Sequence, residues 1–165
     1  MGKPAYLRHS SYAVSLTGLE GNCHMHPILI PALLLSLLAP ANAVISATAN
    51  GFSAGLAWGL GNRMEPAVLP PWAIRLQRSH ANLMENLPSF LGVTLVAALN
   101  GTESHLAVCA AWAFVMLRVA FAVTYTVGIT VLRIRTLVYF ASLGALIVIA
   151  LPMLREAWEL VARHP

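Results

Sequence analysis

Charge is scarce in this chain: Asp, Glu, Lys and Arg together make up 10% of its 165 residues, while 58% are hydrophobic. A water-soluble globule of that composition would aggregate, so lipid is the natural solvent. Cysteine is equally scarce. Cys23 and Cys109 stand far apart, with no CxxC spacing and no clustered histidines, so the sequence supports neither a disulfide scaffold nor a zinc site. The sequence sets no evident base beside Cys109 to activate its thiol, and Cys109 reads as a packing residue. Acidic residues number six against ten basic ones. That excess lacks the dense basic run with interleaved aromatics that a nucleic-acid groove needs, so it points to membrane topology and anion binding instead.

Apolar runs organise the rest. Residues 1–26 are mixed in character and read as an extension, with Met25 as an alternative start. Gly2 follows Met1 as in a myristoylation signal, but Tyr6 stands where that pattern requires Ser or Thr. From Pro27, ILIPALLLSLLAPANAVISA is uncharged for long enough to cross a hydrocarbon core of roughly 30 Å, which takes about 20 helical residues. A signal peptide is the rival reading, but the uncharged stretch continues to Arg63, well beyond the usual apolar region of such a leader. The segment GNRMEPAVLPPW reads as a solvated loop, and a second helix begins near Pro71. Its first half, WAIRLQRSHANLMENLPSF, is too polar to face lipid on all sides. Asn100-Gly101 signals a turn. A third span runs from about His105 through LAVCAAWAFVMLRVAFAVTYTVG, and a link holding Thr130, Arg133 and Arg135 leads to LVYFASLGALIVIAL, which Pro152 is expected to help end. The expected fold is an all-α membrane protein: a four-transmembrane-helix bundle over residues 27–155, with a polar tail over 156–165.

Arginines set the expected orientation. The first-to-second and third-to-fourth connections carry Arg63, Arg75, Arg78, Arg133 and Arg135 while the second-to-third loop carries none, which places those two connections in the cytoplasm and the Gly101 loop outside.

Along the second span, Arg75, Arg78, Asn82, Glu85 and Ser89 recur every three or four residues and form a polar stripe on one helical face, with Asn86 beside it. Charges at such depth cost about 2.5 to 3.5 kcal/mol each on insertion scales and are retained where they meet a partner or a wet cavity. Two readings stay open: a binding site, or a structural network in which Glu85 pairs with an arginine of another span and Asn82 bonds across helices. His80 lies on a different face and reads as a packing or interfacial histidine. In the third span Arg118 and Tyr125 share a face, and Tyr139 follows Arg135 by one turn, so the four can form a basic, hydroxyl-lined pocket. Arg133 reads as a snorkelling residue, and Arg118, deeper in its span, as one that binds a counter-ion.

These residues carry a resemblance. Arg78, His80, Asn82, Glu85 and Asn86 fall in the pattern R-x-H-x-N-x-x-E-N, and Arg118, Tyr125, Arg135 and Tyr139 repeat a second motif across the third and fourth helices. Together with the loop GNRMEP, they make residues 27–155 resemble the MAPEG proteins, membrane-associated proteins in eicosanoid and glutathione metabolism, and their bacterial members in particular. The resemblance implies a homotrimer in the inner (cytoplasmic) membrane, with glutathione as co-substrate held between subunits by Arg78, His80, Asn82, Glu85, Arg118, Tyr125 and Tyr139. Arg135 would stabilise the thiolate, with Arg133 as runner-up because the Tyr125–Arg135 spacing is slightly longer than in well-studied members. The activity implied is a metal-free transferase or peroxidase acting on an apolar electrophile or lipid hydroperoxide. The alternative is a non-catalytic membrane protein whose basic stripe binds lipid headgroups or a partner protein. A small transporter fits less well, because the spans show neither paired discontinuous helices nor internal symmetry.

Overall fold

The computed structural model describes residues 25–64, 66–102, 104–129 and 133–163. The myristoylation pattern, Cys23, the start-site question, Thr130 and the loop residue Glu65 lie outside the described residues.

Among the described residues five helices follow in order: α1 (Leu29–Ala54), α2 (Leu56–Leu60), α3 (Pro71–Leu99), α4 (His105–Val127) and α5 (Ile134–Arg163). All but α2 are long and apolar enough to cross a membrane, and no strand occurs among the described residues. The chain is an integral, multi-pass membrane protein. The short α3–α4 and α4–α5 connections make those neighbours antiparallel, and α1 packs on α3, α3 on α4 and α4 on α5.

Local chemistry sets the ends. Proline at the first position of α3 lacks only an N–H that would have no intrahelical partner. Ser104 caps α4 by accepting from the Ala107 amide at 3.2 Å. At its far end α4 closes in a Schellman motif: Gly128 adopts φ 86°, its amide donates to Tyr125 O at 3.2 Å, and the Ile129 amide donates to Thr124 O at 3.0 Å.

The core holds Leu35 and Ala39 of α1, Leu83, Leu87 and Phe90 of α3, Ala107, Ala111 and Phe114 of α4, and Ile149 of α5. Phe90 and Phe114 stack with centroids 4.3 Å apart, and the buried alanines of α4 let backbones approach closely, which in lipid replaces the hydrophobic drive for packing. Two features depart from the sequence reading. After Gly55 (φ 97°), α2 folds back on α1 so closely that a Cβ at Gly59 would lie 2.8 Å from Gly51 Cα. In addition, Pro152 does not end the last helix. Proline removes one backbone bond from a helix whose other bonds persist, and beyond it Glu159 accepts from Arg155 at 3.2 Å and pairs with Arg163 at 3.7 Å, both one turn away. At 1.5 Å per residue, the 30 residues of α5 span about 45 Å, so its end projects past the hydrocarbon core.

Candidate functional site

The polar stripe of α3 divides once the helix is packed. Arg75 turns toward the end of α4: its Nε donates to Thr126 O at 3.0 Å and its guanidinium lies against Gly128. A cation at a helix C-terminus meets free carbonyls and the negative end of the helix dipole, so this contact fastens the start of α3 to the end of α4. Asn82 turns into the bundle, where its Oδ1 accepts from Arg118 Nη1 at 2.9 Å and its carbonyl accepts from Asn86 Nδ2 at 2.8 Å. Arg78, Glu85 and Ser89 lie on the exposed face of the chain.

Arg118 is the buried cation of the bundle, with 3% of its surface exposed. Its guanidinium lies 5.0 Å from the Phe114 ring and 5.3 Å from the Tyr139 ring, cation–π contacts that partly replace lost hydration. Its Nε and Nη2 are buried with no hydrogen-bond partner among the described residues. Among the described residues the neutral Asn82 side chain is the only hydrogen-bond acceptor it meets, and none of them supplies a counter-ion. Of the structural-network reading, the bond of Asn82 across helices is present, made to Arg118, whereas Glu85 is not the arginine's partner within the described chain. Glu85 is exposed and takes part in no ion pair among the described residues.

An aromatic ladder leads from Arg118 toward the arginine-rich end. Tyr139 tilts on Phe121 at 6.3 Å, Phe121 stacks on Tyr125 at 5.4 Å, and Arg135 lies over the Tyr125 ring at 5.0 Å. Phe121, Tyr125, Arg135, Thr136 and Tyr139 line an open cavity of about 410 Å³. Arg135 belongs to the first turn of α5 rather than to the preceding link, and helical spacing carries Tyr139 to the same wall. Arg133 is exposed just before the helix, with a left-handed φ of 54°. His80 is half-buried and its Nδ1 has no partner among the described residues.

The structure thus joins Asn82, Arg118 and Tyr139, and joins Tyr125 with Arg135. Within one chain it does not bring Arg78, His80 or Glu85 into contact with either group. Sequence reasoning missed Phe114 and Phe121, although Phe114 lies one turn before Arg118 on the same face. It also missed the neighbour of Cys109: His105 Nδ1 lies 3.5 Å from Sγ, at a spacing of four residues that puts the two side by side on a helix. Among the described residues no group of three potential metal ligands occurs.

Compared with known proteins, residues 25–154 match the model of the MAPEG family. No curated protein matches the chain.

Proposed function

The chain belongs to the MAPEG family, and from that premise we propose that it is a glutathione-dependent transferase or peroxidase of the cytoplasmic membrane, working as a homotrimer. The observation that carries this reading is Arg118. A buried cation with two unmet donors is costly unless an anion completes it. Glutathione brings two carboxylates and an ionisable thiol, so its chemistry suits a site holding one buried and one half-buried arginine.

Each residue has a task in this reading. Arg118, fixed by Asn82 and the Phe114 and Tyr139 rings, takes a carboxylate. Arg135, on the wall of the 410 Å³ cavity, sits where a cation favours a thiolate, lowering its pKa from about 8.5 toward neutrality. Tyr125 and Tyr139 supply hydroxyls at the same wall, and His80, with its unpartnered Nδ1, lies near enough along α3 to complete the set from a neighbouring copy. Bound there, glutathione supplies the nucleophilic sulfur, and an apolar second substrate reaches it from the lipid.

The homotrimer rests on Arg78 and Glu85. Glu85 is midway along the 29 residues of α3 and is exposed on the single chain. Left facing hydrocarbon, such a charge costs about 2.5 to 3.5 kcal/mol. A second copy covering that face removes the cost and sets Arg78 and Glu85 across from the Arg118 and Arg135 pocket.

The test is to titrate purified protein with glutathione and follow thiolate absorbance as pH is varied. Ionisation of the bound thiol well below its solution pKa supports the proposal. Absence of binding refutes it.

A further inference from the structure

We infer that the cleft between α1 and α2 is a binding site for an anionic phospholipid, with an acyl chain lying in the cleft and the headgroup phosphate on Arg63. This site is separate from the Arg118 and Arg135 pocket and does not depend on glutathione.

The cleft is a product of the backbone. Gly55 breaks the helix with a left-handed φ, and α2 folds back on the last turns of α1 through the Gly51–Gly59 approach. Between the two helices lies a cavity of about 300 Å³ walled by Ala47, Gly51, Phe52, Leu56 and Gly59, with Arg63 at its rim. Phe52 and Leu56 are 73% and 63% exposed, so the walls are apolar and open sideways to the surrounding lipid.

Arg63 is held at that rim. Its φ of 52° is rare for a residue with a side chain and folds the guanidinium back over α2. There Nε and Nη2 donate to Gly59 O at 3.2 and 3.0 Å, and the group lies 5.4 Å from the Trp58 ring. Nη1 has no hydrogen-bond partner among the described residues. The result is a pre-positioned cation at the mouth of an apolar slot.

Helix length agrees with this occupant. The 26 residues of α1 span about 39 Å, more than a hydrocarbon core of roughly 30 Å, and Gly51 lies one turn from its end, which favours a slot near the boundary between hydrocarbon and headgroups. A ligand with an apolar chain and an anionic head satisfies both halves at once. A zwitterionic lipid fills the slot equally well, but its own ammonium offsets the attraction at Arg63. The site therefore selects by charge.

The experiment uses the full chain in detergent, with phosphatidylglycerol and phosphatidylcholine as probes and native mass spectrometry to count retained lipid. Wild type should retain phosphatidylglycerol in preference to phosphatidylcholine. Arg63→Gln should weaken phosphatidylglycerol retention about tenfold and erase the preference, as expected for loss of one charge-assisted contact. Arg63→Lys keeps the charge without the paired bonds to Gly59 O and should keep most of the preference, separating the charge from the cap it makes on α2. Ala47→Leu fills the slot at an exposed wall position, leaves Arg63 in place and should lower retention of both lipids. Equal retention of the two lipids by wild type overturns the inference, as does undiminished retention by Arg63→Gln or by Ala47→Leu.

Discussion

Replacing Gly128 with alanine tests whether the junction of α3, α4 and α5 is built as described. The residue sits at φ 86°, and a left-handed conformation costs an L-residue with a side chain about 1 to 2 kcal/mol. The added Cβ would also lie 3.1 Å from Arg75 Cζ and 3.2 Å from its Nε and Nη2, so the guanidinium must move. If it leaves Thr126 O, a charge-assisted hydrogen bond worth about 1.5 to 3 kcal/mol is lost. Because Arg75 is only half-buried, the lower part of that range applies, and the total loss should be about 2 to 4 kcal/mol. Thermal unfolding in detergent reads it directly. Gly144→Ala is the control, since nothing lies within 4 Å of its Cβ position and alanine favours the interior of a helix, so that variant should match or slightly exceed wild type. Arg75→Ala combined with Gly128→Ala should cost clearly less than the two single losses added together, because the contact cannot be lost twice. A Gly128→Ala protein that unfolds with Gly144→Ala, or strictly additive losses, would show that the junction does not work this way.

Arg135→Leu should lower kcat with an aryl-halide electrophile by about a hundredfold or more and raise the pH at which bound glutathione ionises, whereas Arg133→Leu should do much less; the reverse result would move the thiolate's cation to Arg133. Arg118→Met and Asn82→Leu should each weaken glutathione binding, and their stability effects should couple, because either change alone strands its partner's polar group in the bundle; additive effects in a double-mutant cycle would refute the pairing. Glu85→Leu should leave helix content unchanged but impair assembly or glutathione binding, measured by light scattering and titration, since Glu85 holds no ion-pair partner among the described residues of its own chain. In a background lacking native cysteines, a cysteine at exposed Asn100 should be labelled from outside the intact membrane by an impermeant maleimide; labelling only from the cytoplasmic side reverses the orientation.

What was legible in the sequence follows from local physics. Uncharged runs of sufficient length dictate spans, proline at position 71 marks a helix start, and the spacings Arg118–Tyr125 and Arg135–Tyr139 put each pair on one face whatever the packing. These patterns were also enough to suggest the family. Helical periodicity, however, states which residues share a face and not what the face meets. The stripe from Arg75 to Ser89 reads as one surface, yet in the fold it serves α4 through Arg75, Arg118 through Asn82, and the exterior through Arg78 and Glu85. A pattern that repeats every three or four residues covers an arc wide enough to touch several neighbours. The Gly55 break and the return of α2 were hidden for another reason: no charge interrupts the segment, and only close approach at Gly51 and Gly59 reveals why two glycines are needed. Pro152 shows the converse, a strong local signal overridden because one missing hydrogen bond does not stop a helix whose following turns are bridged by Arg155, Glu159 and Arg163. Sequence alone determined the membrane, the spans and the inventory of cations. Tertiary structure decided which cation is buried with no counter-ion among the described residues, because burial depends on contacts between distant helices that no local spacing encodes.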